Sequence, residues 1–195
     1  MNLPRLLVVT DRTQCAGPLV DAVAAAVDAG ARAVVLREKD LPAGERAELA
    51  TVLRGLLKPA GGTLVVAGPG PYDAVHLAAR DPFPAPRPAL VGRSCHDAGE
   101  VAAAAAEGCD YVTVSPVFPS ASKPGYGPPL RPDGLARLAA TGPAVFALGG
   151  VRPADVPACR AAGAYGVAVM GPVMRDPSAT ARYLSALAST VEDPR

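Results

Sequence analysis

The stretch LVGRSCHDAGEVAAAAAEGCDYVTVSP, residues 90–116, carries the reading of the whole chain. It opens on LVGRSC (90–95), runs through AGEVAAAAAEG (98–108) and returns to YVTVSP (111–116). The middle piece has helix-forming composition and ends on glycine, the residue that most readily stops a helix. The flanking pieces are β-type runs. Strand, helix, strand is the crossover unit of a parallel sheet.

The same alternation extends to both ends of the chain. Further runs are LLVVTD (6–11), AVVLRE (33–38), TLVVAG (63–68), AVHLAA (74–79), VFALGG (145–150) and GVAVMG (166–171). They are apolar continuously rather than at every second residue, so both faces of the sheet are buried and helices cover it. Eight such strands predict one (β/α)8 barrel of the TIM type as a single domain over residues 1–195. An open doubly wound sheet is the alternative. The gap between residues 68 and 74 is too short for a crossover helix, so the unit between strands three and four is shortened. PFPAPRP (82–88) reads as a surface loop.

Half of the 195 residues are apolar and 19% are charged, a composition that builds a core. The net charge is +1 and Lys and Arg form no run, which argues against nucleic-acid or membrane-surface partners. No apolar run is long enough to span a bilayer, and Met1-Asn2-Leu3-Pro4-Arg5 leads straight into a strand without a signal segment. Cys15, Cys95, Cys109 and Cys159 lack metal-site or redox-pair spacing and read as reduced thiols. The expectation is a cytoplasmic protein; whether it forms a homo-oligomer stays open.

A barrel gathers its working residues at the C-terminal ends of its strands. There the sequence places Thr10-Asp11-Arg12, Arg37-Glu38-Lys39-Asp40, Arg80-Asp81 and Arg93-Ser94-Cys95-His96. It also places Ser120, Ser122 and Lys123, then Gly149-Gly150 and Met170-Gly171. Arg37, Lys39 and Lys123, with hydroxyls and glycine-lined backbone, suit a phosphorylated small molecule. The plainer readings are a solvated loop in which Glu38 partners Arg37 and Lys39, and an ordinary turn at Gly149-Gly150.

These motifs resemble the thiamine phosphate synthase family, which includes thiazole tautomerases. The resemblance rests on LLVVTDR, VLREK (35–39), GRSCH (92–96), DYVTVSPVFPSASKPG (110–125), ALGGV (147–151) and GVAVMG. It implies a (β/α)8 barrel and a transferase joining hydroxymethylpyrimidine pyrophosphate to thiazole phosphate, with Mg2+ and release of pyrophosphate. It implies catalytic cations at Arg37, Lys39 and Lys123 and a ligand-binding Ser94. Around the thiazole phosphate it implies Ser120, Ala121, Ser122, Gly149, Gly150, Met170 and Gly171, and for the metal Asp81.

The chain also departs from that pattern. Ala67-Gly68 stands where the family has Asn-Asp, the second metal carboxylate; Val35 replaces a Gln, and Gly171 a Ser. Mg2+ would then hold more water and substrate oxygen. The missing carboxylate suggests thiazole tautomerase as an alternative activity, for which His76, His96 or Cys95 would have to act as base. A non-catalytic phosphate-ligand binder is the remaining alternative.

Overall fold

The eight apolar runs become eight parallel strands in the computed structural model, which describes residues 3–119, 128–140 and 142–189. They are β1 (Leu6–Val9), β2 (Ala33–Leu36), β3 (Thr63–Ala67), β4 (Ala74–Leu77), β5 (Leu90–Cys95), β6 (Tyr111–Val114), β7 (Ala144–Leu148) and β8 (Gly166–Val169). Each pairs with its sequence neighbour, and β1 pairs back to β8 through Leu7 opposite Ala168. The barrel is closed, so the open-sheet alternative falls away. Closure also removes every unpaired strand edge.

Residue parity along the strands sorts the apolar side chains into two cores. Leu7, Val9, Ala33, Val35, Val65, Tyr111, Phe146 and Ala168 pack inside the barrel. Leu6, Val8, Val34, Leu36, Val66, Val75, Leu77, Val91, Val112, Val114 and Val167 pack outward. This two-sided burial is why the runs read as continuous. Inside, the Tyr111 and Phe146 rings meet edge to face at 5.5 Å. Their bulk is balanced by glycine: a Cβ at Gly92 would lie 2.1 Å from the Tyr111 ring.

The outer core is covered by α1 (Leu19–Asp28), α2 (Ala43–Leu57), α3 (Ala98–Ala106), α4 (Arg131–Ala139), α5 (Val156–Ala161), α6 (Gly171–Arg175) and α7 (Ala179–Ala188). In the opening stretch, Asp97 caps α3 by accepting a 2.8 Å hydrogen bond from the Glu100 N–H. None of the helices of the described residues is long and apolar enough to cross a membrane.

Two crossovers carry no helix. Residues 68–73 turn directly from β3 into β4, as the short gap requires, and residues 78–89 join β4 to β5 as a loop. Tyr72 and Phe83 from these two loops pack against the outer core. Arg93, only 3% exposed on the outer face of β5, ties down the second loop. One of its guanidinium nitrogens donates to the carbonyls of Ala78, Ala79 and Asp81 at 2.9–3.1 Å, and the other meets the Glu107 carboxylate at 2.6 Å. A buried guanidinium thus replaces, by hydrogen bonding, some of the packing a helix would have supplied.

Candidate active site

At the C-terminal mouth, the first two strands are latched together. The Arg37 N–H donates to the buried Thr10 hydroxyl at 2.9 Å. Arg12 closes the latch from the β1 side, its backbone N–H and guanidinium both donating to the Glu38 carboxylate at 3.2 Å. Glu38 is 3% exposed, and its burial is offset by these charge-assisted bonds. The Arg12 guanidinium also meets Asp40 at 2.7 Å. Hydrogen bonds with Asp40 and Glu38 hold Arg12 more firmly protonated than usual. Burial alone would raise the Asp11 pKa, but hydrogen bonds from Thr13 and Gln14 bring it below the ordinary value.

The consequence lies at the alternating positions. Arg37 and Lys39 are exposed on either side of buried Glu38, and neither has a carboxylate partner among the described residues. The reading in which Glu38 neutralises them locally is thereby corrected: that carboxylate is committed to Arg12.

Across the mouth, inward positions of β4, β5 and β6 form a polar cluster just above the aromatic layer. His76 Nδ1 lies 3.1 Å from the Tyr111 hydroxyl, and Nε2 lies 2.9 Å from Ser94 Oγ and 3.5 Å from Thr113 Oγ1. The imidazole stacks on the Tyr111 ring at 5.5 Å. Burial, with Lys39 and Arg93 adding repulsion, lowers the His76 pKa to about 4, so the ring is neutral near pH 7. Burial also pushes the Tyr111 hydroxyl pKa well above its ordinary value. Beside His76 in the register sits Ala67, and Val35 is buried in the inner core, so this flank of the mouth is apolar.

Asp81 lies in the loop that Arg93 clamps. One of its oxygens accepts from the Ala78 N–H at 2.7 Å. Among the described residues no three His, Cys, Asp or Glu side chains gather around a metal-sized space. A single carboxylate such as Asp81, with one oxygen already engaged by backbone, would leave a hard cation to take most of its ligands from water and substrate oxygens.

Gly149 and Gly150 have φ of +88° and +68°. The segment after β6 is stitched onto them: Val117 N–H donates to Leu148 O and Phe118 N–H to Gly149 O, both at 2.9 Å. A Cβ at Gly150 would stand 2.3 Å from the Pro119 carbonyl oxygen. These glycines make more than an ordinary turn; they admit a second backbone. Met170 occupies the position just before α6, which begins at Gly171. At Gly171 a Cβ would meet Gln14 Oε1 at 2.6 Å and the Arg175 guanidinium at 2.7 Å, and those two groups are hydrogen-bonded to each other. The Gln14–Arg175 pair fills the space a residue-171 side chain would need.

Ser120, Ala121, Ser122 and Lys123 lie outside the described residues. Of the other expected positions, Arg37, Lys39, Ser94, Asp81, Gly149, Gly150, Met170 and Gly171 all fall at C-terminal strand ends of the barrel. Cys95 does not join them: it packs in the outer core, and burial pushes its thiol up to about 12. The His96 ring binds the Ser115 carbonyl at 2.8 Å. Sequence reasoning overlooked Tyr111, Thr113 and the Arg12–Glu38 latch. Parity in YVTVSP carried a signal for the first two, since Tyr111 and Thr113 share a face. Nothing local marks Glu38 as the partner of a residue 26 positions earlier.

Fold and site together define a closed parallel barrel whose mouth carries two exposed cations, in no ion pair among the described residues, and a neutral histidine–serine floor within reach of their charge. Residues 6–173 match the family model described as thiamine monophosphate synthase, and the chain belongs to that family. A Geobacter sulfurreducens protein provisionally named a thiamine-phosphate synthase is 40% identical over 94% of this chain and 92% of its own. The thiamine-phosphate synthase of Moorella thermoacetica is 34% identical over 91% and 92%. Among solved structures, a thiamine phosphate pyrophosphorylase from Pyrococcus furiosus superposes with a TM-score of 0.83 at 24% identity, covering 96% of both chains. This last likeness supports the fold.

Proposed function

We propose that this protein is a thiamine-phosphate synthase, a transferase that joins hydroxymethylpyrimidine pyrophosphate to thiazole phosphate and releases pyrophosphate. The observation that carries the reading is the pair Arg37 and Lys39, exposed at the mouth and in no ion pair among the described residues. Family membership supports the synthase reading, and the two substrates are those the sequence resemblance implies.

The chemistry suits these side chains. As the carbon–oxygen bond to pyrophosphate breaks, negative charge grows on the leaving oxygens. Cations already held in place stabilise that charge without reorganising. The Arg12–Glu38 latch and the Thr10 bond hold Arg37 and Lys39 in register for this task. Lys123 joins them in this proposal, and Ser120, Ala121 and Ser122 take the thiazole phosphate with backbone from Gly149-Gly150 and Met170-Gly171. Mg2+, when bound at Asp81, would supply further charge neutralisation to the pyrophosphate oxygens. Pyrophosphate departs with the bonding electrons of that carbon–oxygen bond, and the thiazole nitrogen forms the new bond to the pyrimidine methylene carbon.

The runner-up, thiazole tautomerase, takes its support from Ala67-Gly68 in place of a metal carboxylate. Two groups considered as its base are poorly suited: His76 has a pKa near 4, and Cys95 faces away from the mouth. A proton shift near pH 7 favours a base poised nearer that pH. The deciding experiment offers the purified protein both synthase substrates with Mg2+, and in parallel the thiazole carboxylate phosphate. Thiamine phosphate with stoichiometric pyrophosphate supports the synthase. Turnover of the carboxylate alone would replace it with the tautomerase, and binding of thiazole phosphate without either turnover would leave a binding protein.

A further inference from the structure

The Tyr111 hydroxyl is sealed inside the barrel, and His76 Nδ1 is its one hydrogen-bond partner among the described residues. That fact sets a direction. A buried O–H without an acceptor loses its hydration for nothing, so Tyr111 donates and Nδ1 accepts. A neutral imidazole that accepts at one nitrogen carries its proton on the other. His76 is therefore the Nε2–H tautomer and donates to Ser94 Oγ at 2.9 Å, with Thr113 Oγ1 a more distant acceptor at 3.5 Å. The Ser94 oxygen having accepted, its own proton has no acceptor among the described residues. Reversing the relay would leave Tyr111 unmatched and make Ser94 offer only lone pairs, which repel an anion.

We propose that Tyr111 and His76 are positioning residues that act through Ser94, fixing its hydroxyl as a hydrogen-bond donor to the diphosphate oxygens of the substrate. Arg37 and Lys39 stand on the same mouth, and the fields of both reach the His76 ring, which puts the anion's cations within range of this donor. The identity of the ligand rests on the synthase reading; the tautomer does not.

The relay is tested first without substrate. The chain has two histidines, so 15N-labelled protein gives two imidazole spin systems, and His96→Asn identifies which belongs to His76. At pH 7 the wild type should show Nε2 protonated and Nδ1 bare. Tyr111→Phe, which keeps the ring and deletes the donor, should give a mixture of both tautomers. An Nδ1–H tautomer in the wild type overturns the relay even if Tyr111→Phe fails to fold. The second test titrates inorganic pyrophosphate with Mg2+. Ser94→Ala should weaken its binding roughly ten-fold or more, as expected for losing a hydrogen bond to a charged group. Tyr111→Phe should weaken it less, and should have no further effect in the Ser94→Ala background. Unchanged pyrophosphate affinity in Ser94→Ala, with the Nε2–H tautomer in place, overturns the ligand assignment. A protein with both results as expected but no synthase turnover would refute the synthase reading and leave the relay standing.

Discussion

Replacing Gly150 with alanine should damage this barrel more than replacing any other left-handed glycine at its mouth. Two costs add. Gly150 has φ of +68°, a conformation that costs an L-residue about 1–2 kcal/mol. The new methyl would also stand 2.3 Å from the Pro119 carbonyl oxygen and 2.6 Å from that of Phe118. Both obstacles are backbone, so no side chain can swing aside, and overpacking of this kind costs about 1–3 kcal/mol. The expected loss is about 2–5 kcal/mol. For a chain of this size each kcal/mol lowers Tm by about 2–4 °C, so the variant should melt well below the wild type. Gly68→Ala is the internal control: its φ is +88°, but its Cβ would meet nothing within 4 Å. It should show only the conformational share, about 1–2 kcal/mol. Thermal and urea unfolding of both variants measure the difference. Synthase turnover should fall further in Gly150→Ala, because relieving the clash moves the segment 116–119 that enters the mouth. If the two variants melted together, the close approach of Pro119 and Phe118 would not constrain Gly150 and the reasoning would be wrong.

The double change Ala67→Asn with Gly68→Asp should tighten Mg2+ and raise synthase turnover, since open space at Gly68 admits the carboxylate at a conformational cost of about 1–2 kcal/mol; a folded variant without tighter Mg2+ would remove residue 68 from the metal's surroundings. Glu38→Gln places an amide against two Arg12 donors and should destabilise by about 1–3 kcal/mol while raising KM for the pyrophosphate substrate, read by melting and initial rates; unchanged KM would mean Arg37 and Lys39 do not depend on the latch. Lys123→Ala should lower pyrophosphate release by roughly 10² to 10³ under chemistry-limited conditions, and an unchanged rate would exclude it from the mechanism. His76, with a folded pKa near 4 against 6.5, stays neutral while the unfolded chain protonates. Its contribution to stability is thus complete above pH 6.5 and is lost as pH falls towards 4, about 3 kcal/mol in all. Melting curves across that window should fall more steeply for wild type than for His76→Gln; equal slopes would refute the assignment.

Strand number, order and the missing helix at 69–73 were legible because they follow from chain length and local composition. A stretch such as TLVVAGPGPYDAVHL has too few residues between its runs to fold back through a helix. The strand-end positions of Arg37, Lys39, Ser94 and Asp81 followed for the same reason: a barrel fixes which end of each strand carries the loops. The sequence alone could not say which charges cancel. Arg12, Arg37 and Lys39 look alike on the page, as do Glu38 and Asp40. Closing β1 against β2 brings the Glu38 carboxylate to Arg12 and leaves Arg37 and Lys39 without an ion pair among the described residues. Likewise, His76, Ser94 and Tyr111 are separated by as many as 35 positions, and barrel closure makes them one hydrogen-bonded group. Local propensity reads along the chain within a few residues, whereas pairing of charges and hydroxyls is decided by distances of about 3 Å between strands. Only the closed tertiary structure sets those distances.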